Sequence, residues 1–170
     1  MATPTYIPLA TLTLAASSSS VYFTEISQDY SDLVLVCETR NTQAENSYMV
    51  IRFNGDTGSN YSGVNMIGNA SSAASRTYTA TELYVNLDSR FSNSATRPGL
   101  SQISIFDYSA SDKHKSVLVR SDVAEIATET MAHRWASTSA ITSIGISMTN
   151  VGNFAAGSTF KLFGIHGEVV

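Results

Sequence analysis

The stretch Leu33-Val34-Leu35-Val36-Cys37 is the longest unbroken apolar run in the sequence, and it decides the class of fold. It is far shorter than the ~20 residues that a membrane helix needs. A short run that is apolar at every position is typical of a strand covered on both faces. We therefore predict a central β-strand here, with Cys37 as a small buried side chain.

The rest of the chain alternates between apolar and polar residues with a period of two, which is the pattern of half-buried strands. About ten such segments are separated by turns rich in Gly, Ser, Asn and Asp, as in a sandwich or barrel. They include Leu9–Leu14, Val21–Thr24, Tyr48–Phe53, Val64–Ile67, Thr77–Leu87, Ser116–Arg120, Thr128–Ala136, Ile144–Met148 and Thr159–Ile165. Ile103 and Ile105 form a further segment, after which Phe106 and Tyr108 change face as at a bulge.

This pattern predicts an all-β fold, a single-domain β-sandwich of jelly-roll type that occupies residues 1–170, with residues 1–20 as an extended N-terminal arm. No internal repeat or linker divides the chain. The segment Gly68–Ser75 is small and polar and is predicted to be mobile, and Asp88–Gly99 is predicted to be a loop. The stretch Ser121–Ala127 has the capping residues for one or two helical turns.

The composition limits the partners of the protein. Charged residues make up 14% of the chain, the net charge is −4, and the ten Lys and Arg residues are scattered, so we expect no nucleic-acid partner. The segment Met1–Pro8 lacks the basic region of a secretory signal, and no apolar run could cross a membrane. We therefore expect a protein made in the cytosol, with no membrane partner.

Serine and threonine account for 44 of the 170 residues. On the solvent face of a strand, threonine suits β geometry and serine is small and uncharged. A surface of small hydroxyl groups with few charges is easier to desolvate than one covered by lysine and glutamate. The composition therefore favours contacts between proteins, or repeated contacts in an assembly.

The sequence shows no catalytic equipment. His114, His133 and His166 lie far apart, without a second ligand at zinc spacing, and the carboxylates are dispersed. No nucleophile elbow is present among the 26 serines. We expect no enzyme activity, no catalytic residue, no metal and no cofactor. Trp135 shares a strand face with Met131 and His133 and is expected to pack in the core or at an interface.

The segment Asn54–Asn60 allows two interpretations. Side-chain oxygens at Asn54, Asp56 and Asn60 are arranged as in a calcium loop, but the closing glutamate of such a loop is missing. Asn-Gly and Thr-Gly are also ordinary turn dipeptides, so the turn is the favoured interpretation and the cation site the alternative.

Four stretches, in this order and spacing, resemble small virion structural proteins of tailed bacteriophages, particularly those that infect cyanobacteria and other aquatic bacteria. The stretches are Tyr6–Leu14 with Val21–Phe23, Tyr30–Val36, Ile51–Ser62, and Ile141–Ile144 with Asn153–Ile165. The resemblance implies a protein of the virion, assembled in the host cytoplasm, with no catalytic residues to carry over. It implies as partners the major capsid protein or the tail proteins of the same virion, and a homo-oligomer, a trimer or dimer, is expected.

Within that class, one compact domain fits a capsid decoration or cement protein that bridges capsomers, because tail fibres usually carry a long shaft. The alternative is a tail, fibre-tip or baseplate component that binds host-surface glycans. The glycan alternative predicts aromatic side chains exposed together on one face, from among Tyr61, Tyr78, Tyr84, Tyr108 and Trp135.

Overall fold

The computed structural model describes residues 5–42, 47–69, 71–86, 98–123, 127–149 and 152–167. This part of the chain forms twelve β-strands and no helix, and so holds no helix long and apolar enough to span a bilayer. The strands are β1 (Tyr6–Thr13), β2 (Ser20–Phe23), β3 (Asp32–Thr39), β4 (Met49–Phe53), β5 (Tyr61–Asn69), β6 (Ala73–Ala80), β7 (Leu83–Tyr84), β8 (Gly99–Phe106), β9 (Lys115–Val123), β10 (Ala127–Trp135), β11 (Ile144–Met148) and β12 (Thr159–Ile165).

The strands form two antiparallel sheets that pack as a sandwich, as the sequence predicts. The wide sheet has the order β1-β12-β3-β8-β9-β10-β5-β6, and the narrow sheet has the order β2-β11-β4-β7. In chain order, the first four strands of the wide sheet and the four of the narrow sheet run wide, narrow, wide, narrow, narrow, wide, narrow, wide, and the first strand pairs with the last. That is the strand order of a jelly roll. The hairpins β5–β6 and β9–β10 extend the wide sheet by four strands beyond β8.

The two sheets share one hydrophobic core. Leu33, Leu35 and Cys37 of β3 point into it and are fully buried, and Ile51 and Phe53 of β4 enter it from the narrow sheet. The prediction of a central strand at Leu33–Cys37 is confirmed, because β3 lies between β12 and β8. Side chains on both faces of this strand pack, as its continuous apolar sequence requires.

The two edges of the wide sheet differ. Of the arm predicted for residues 1–20, residues 1–4 lie outside the described residues, and Tyr6–Thr13 form the edge strand β1, which pairs with β12. Pro8 removes a backbone donor from this edge, and the register shifts between Pro8 and Ala10, as at a bulge. At the other edge β6 has eight residues, no proline and a single charge, Arg76. It is the terminal strand of the sheet in the described part of the chain.

The structure differs from the sequence predictions in four segments. The bulge predicted after Ile105 does not form, because β8 alternates regularly to its end at Phe106. The segment predicted to be mobile, Gly68–Ser75, contains the end of β5 and the start of β6, while Ala70 lies outside the described residues. The strand predicted for Thr77–Leu87 is two strands, because the chain leaves β6 of the wide sheet at Ala80 and enters β7 of the narrow sheet at Leu83. Instead of helical turns, Ser121–Val123 end β9 and Ala127 starts β10; residues 124–126 and most of the loop predicted at Asp88–Gly99 lie outside the described residues.

Replacing Leu35 with alanine tests the core. Leu35 is fully buried between the sheets, so Leu35→Ala removes packed atoms and leaves a cavity. We expect the free energy of unfolding to fall by about 3 kcal/mol, measured by urea denaturation. Leu100→Ala on neighbouring β8 is the matched control, because Leu100 is 45% exposed, and its effect should stay within roughly 0.5 kcal/mol. Equal losses in both variants would contradict this placement of the core.

Candidate functional site

A cluster of polar side chains is buried on the inner face of the wide sheet, in the part formed by β10, β5 and β6. The Asn65 Nδ2 group donates to Glu129 Oε1 at 2.5 Å, and the Tyr78 hydroxyl lies 2.5 Å from His133 Nδ1. The backbone N–H of Tyr84 donates to the same hydroxyl at 3.2 Å. Glu129 is 1% exposed and His133 is 6% exposed. Hydrogen bonds between these side chains therefore offset part of the cost of burying them.

Burial lowers the pKa of the His133 imidazole to about 4, so the ring is neutral at pH 7. The same burial raises the pKa of the Tyr78 hydroxyl. Gly63 on the neighbouring strand makes room for the ring, because a Cβ atom at that position would collide with His133 Nδ1. His133 and Trp135 share a buried face with Met131, as the sequence predicts. The ring is therefore neutral and packed between neighbouring strands, which is the usual setting of a structural histidine.

The Asn54–Asn60 segment forms a turn, and the carboxylate of its Asp56 accepts hydrogen bonds from other groups of the protein. Asn54 and Gly55 both have positive φ, and the N–H of Asp56 donates to the Phe53 carbonyl at 2.9 Å, as in a type I′ turn. The Asp56 Oδ1 atom accepts from the Gly58 N–H at 2.8 Å. Its Oδ2 atom accepts from Asn60 Nδ2 at 2.9 Å and from Trp135 Nε1 at 2.7 Å.

These hydrogen bonds lower the pKa of the Asp56 carboxyl group. Desolvation raises the pKa of Asp56, but the hydrogen bonds from Trp135, Asn60 and Gly58 outweigh it, so the pKa lies below its usual value. The carboxylate thus anchors the turn to the single tryptophan. A cation would have to compete with these three donors for the same oxygens, and this arrangement favours the turn over the cation site.

The remaining candidate groups are not brought together. His114 and His166 are exposed, and the His166 ring lies 5.0 Å from that of Tyr30. Cys37 is buried, and burial raises the pKa of its thiol, which removes the thiolate that a nucleophile needs. Within the described ranges, no group of three or more His, Cys, Asp or Glu side chains could hold a metal ion.

The outer face of the wide sheet carries a patch of exposed apolar side chains, which we call the outer apolar face. Val64 of β5, Ala132 of β10 and Leu118 of β9 are direct cross-strand neighbours. Val64 is 42% exposed, Leu118 is 48% exposed, and Met66, two residues along β5, is 68% exposed. Leu100 and Phe106 of β8 are exposed on the same face. Five of the eight exposed large hydrophobic side chains in the described residues therefore lie on these neighbouring strands.

Few charges interrupt this face. On β5, β8, β9 and β10 the charged side chains that point outward are Arg120, Asp122 and Arg134. The remaining outward positions of β10 are Thr128, Thr130 and Ala132, which are short and exposed. A sheet face of this composition loses little solvation when another surface covers it. The sequence predicted such a surface from composition but could not place it on particular strands.

The aromatic side chains that the glycan alternative named are not exposed together. Tyr61, Tyr108 and Trp135 are buried, and Tyr78 and Tyr84 are half-buried. Trp135 and Tyr61 pack against Phe53 with ring centroids 5.5 and 6.3 Å away, and the Phe53 N–H donates to the Tyr61 hydroxyl at 3.0 Å. This set therefore joins the two sheets, and that choice of glycan-contacting residues is wrong. The exposed tyrosines in the described residues are Tyr6 and Tyr22.

The buried imidazole gives a pH dependence that can be measured. Between pH 6.5 and 4 the unfolded chain binds a proton at His133 that the folded protein does not bind, so this group makes the protein less stable as the pH falls. The expected loss is on the order of 3 kcal/mol, measured by urea denaturation across that range. His133→Gln should remove this part of the slope, whereas the exposed His114→Gln control should keep it. An unchanged slope in His133→Gln would contradict a buried neutral imidazole.

The turn at Asp56 predicts the response to calcium. Millimolar calcium should leave the thermal unfolding midpoint unchanged, because both carboxylate oxygens already accept hydrogen bonds from the protein. Asp56→Ala should lower the free energy of unfolding by about 1–3 kcal/mol, since it leaves the Trp135 Nε1 donor without its partner. A midpoint that rises with calcium in the wild type and not in Asp56→Ala would instead establish the cation site.

Comparison with known proteins assigns no family. No protein-family description and no curated protein matches the sequence. Among solved structures, the fold is similar to that of a mutant of the alginate lyase Aly36B in complex with an alginate tetrasaccharide, with 11% sequence identity and a TM-score of 0.32. The match covers 93% of this chain and 80% of that chain. At this TM-score the likeness supports no conclusion about the chemistry of the protein.

Proposed function

We propose that this protein is a structural component of a bacteriophage virion that works by binding neighbouring proteins through its outer apolar face. The observation that carries the proposal is the exposed row Val64–Ala132–Leu118 with Met66 beside it. Contiguous exposed apolar patches mark interaction sites in soluble proteins, because their burial is favourable. Each large apolar side chain that becomes covered contributes roughly 1.5–3 kcal/mol at most.

Capsid decoration is the place in the virion that we propose. The resemblance to virion proteins supports membership of the particle, and the wide sheet of the jelly roll offers the exposed contact surface. The protein would bind the major capsid protein at the junctions between capsomers and hold them together against the pressure of the packaged genome. A closed homo-oligomer, a trimer or dimer, would present several copies of the outer apolar face at a symmetric junction.

Two charged substitutions test the contact surface. Met66→Glu combined with Leu118→Glu should abolish binding to particles, because it places two charges in the surface to be desolvated. Both side chains are exposed, so the free energy of unfolding should change by only about 0.5 kcal/mol. The matched control is Thr11→Glu with Thr13→Glu, which adds the same charge to exposed positions at the far edge of the same sheet. Binding is measured by cosedimentation of purified protein with particles that lack it.

Electron microscopy of particles with and without the protein locates it. Regular copies at the capsomer junctions support decoration. Copies confined to the tail, fibre tip or baseplate would overturn decoration in favour of the alternative position. Absence of the protein from purified particles would overturn its role in the virion. A protein that turned over a substrate and showed no binding to particles would overturn that role as well.

A further inference from the structure

We infer that the outer face of the narrow sheet carries a binding groove for a neutral oligosaccharide, with Tyr22 as its aromatic platform. The groove lies on the sheet opposite the outer apolar face, so the inference is independent of the proposed contact with capsid proteins. None of the aromatic residues that the sequence suggested for glycans takes part in it. Three features of the groove support the inference: the exposed ring of Tyr22, hydroxyl groups beside the ring that form no side-chain hydrogen bond in the described residues, and a lining whose one positive charge is neutralised by an ion pair.

Tyr22 is held with one ring face open to solvent. It lies on β2 between Val21 and Phe23, which point into the core, and it is 68% exposed. Its cross-strand neighbour on β11 is Gly145, and a Cβ atom there would lie 3.0 Å from Tyr22 Cε1. The Cδ1–Cε1 edge of the ring therefore contacts the backbone at Gly145, where any larger residue would push the ring away. An exposed aromatic ring held in this way offers a surface on which an apolar ring face can stack.

The groove beside Tyr22 has a volume of about 440 Å³, within the size range of small-ligand sites. It crosses β11 and reaches Arg52 on β4, since Gly145 pairs with Tyr22 on one side and Arg52 on the other. Its lining is rich in hydroxyl groups that form no side-chain hydrogen bond within the described residues. These belong to Tyr22, Thr24, Thr57, Ser143 and Ser147.

The charges in the groove balance. Arg52 is the charged residue in the lining, and its guanidinium donates to Glu82 Oε2 at 2.7 Å. Its Nε group donates to the Thr81 carbonyl at 3.4 Å. The Arg52 side chain is 39% exposed, and its charge is compensated by Glu82. Asn54 forms a fixed wall, because its amide already bonds to Ala140, Thr142 and Ser143. The groove therefore offers donors and acceptors without a net charge.

This combination matches the chemistry of a neutral sugar. A pyranose ring has an apolar C–H face that stacks on an aromatic ring, and hydroxyl groups at its edge that both donate and accept hydrogen bonds. A phosphate or nucleic acid would require uncompensated positive charge, which the pair of Arg52 and Glu82 does not provide. An apolar peptide would leave the five hydroxyl groups without partners. A neutral oligosaccharide satisfies both parts of the groove.

A glycan array of neutral and acidic oligosaccharides, probed with the full chain, tests the inference. We expect binding to neutral members, and isothermal titration with the best of them should give an affinity about tenfold weaker for Tyr22→Ala. Tyr22→Trp should restore the affinity, because it restores the stacking surface. Tyr6→Ala is the matched control, since Tyr6 is 55% exposed on the edge of the other sheet, and it should bind as the wild type does.

The outcomes separate clearly. Because Tyr22 is exposed, Tyr22→Ala should unfold at the same urea concentration as the wild type, so a lost affinity cannot be ascribed to misfolding. Wild-type protein that binds no neutral oligosaccharide, or only acidic ones, would overturn the inference. Neutral binding that is the same in Tyr22→Ala would overturn the location of the site. None of these results bears on cosedimentation with particles, so the proposed virion role stands or falls separately.

Discussion

The unequal width of the two sheets is the constraint on which the rest of the structure depends. The narrow sheet has four strands and the wide sheet has eight, of which four lie beyond β8. Apolar packing against the narrow sheet reaches Tyr61 of β5 and Trp135 of β10. Buried hydrogen bonds accompany this packing on the inner face of the extension. Ser121 donates to the carbonyl of Val85 at 2.7 Å, and the pairs Asn65–Glu129 and Tyr78–His133 follow further out. The polar cluster thus lies in the part of the wide sheet that extends beyond β8, where buried polar groups pair with one another.

The local elements of the fold could be predicted from the sequence, whereas the changes of sheet could not. The continuous run at Leu33–Cys37 identified the central strand, because only a strand covered on both faces tolerates apolar side chains at every position. The stretch Thr77–Leu87 alternates throughout, yet the chain changes sheet between Ala80 and Leu83. A period of two records which side chains are buried, and it does not record which sheet buries them. The small residues of Gly68–Ser75 likewise concealed a strand, since β6 is stabilised by pairing with β5 and not by side-chain burial.

The candidate surfaces depended on burial, which composition alone does not give. The excess of serine and threonine indicated a surface that is easy to desolvate, and the structure adds the register that brings Val64, Ala132 and Leu118 into one row. The aromatic residues were the weakest part of the prediction, because type alone does not separate a buried ring such as Trp135 from an exposed one. The alternation of apolar and polar positions around Tyr22 does indicate that its ring is exposed. Its neighbours Val21 and Phe23 point inward, which requires Tyr22 to point outward.

The contrast between the two edges of the wide sheet limits how copies of this chain could join backbone to backbone. An endless ribbon needs each copy to offer a free strand at both ends, so that one edge pairs with the opposite edge of the next copy. Pro8 and the register shift beside it make β1 unsuitable for pairing with another strand. Of the two edge strands of the wide sheet, β6 alone retains a regular row of backbone donors and acceptors. Two β6 strands can pair with each other about a two-fold axis, and that union leaves no regular edge of the wide sheet for a third copy. Pairing through the edges of the wide sheet therefore ends at two copies and cannot propagate into a fibre.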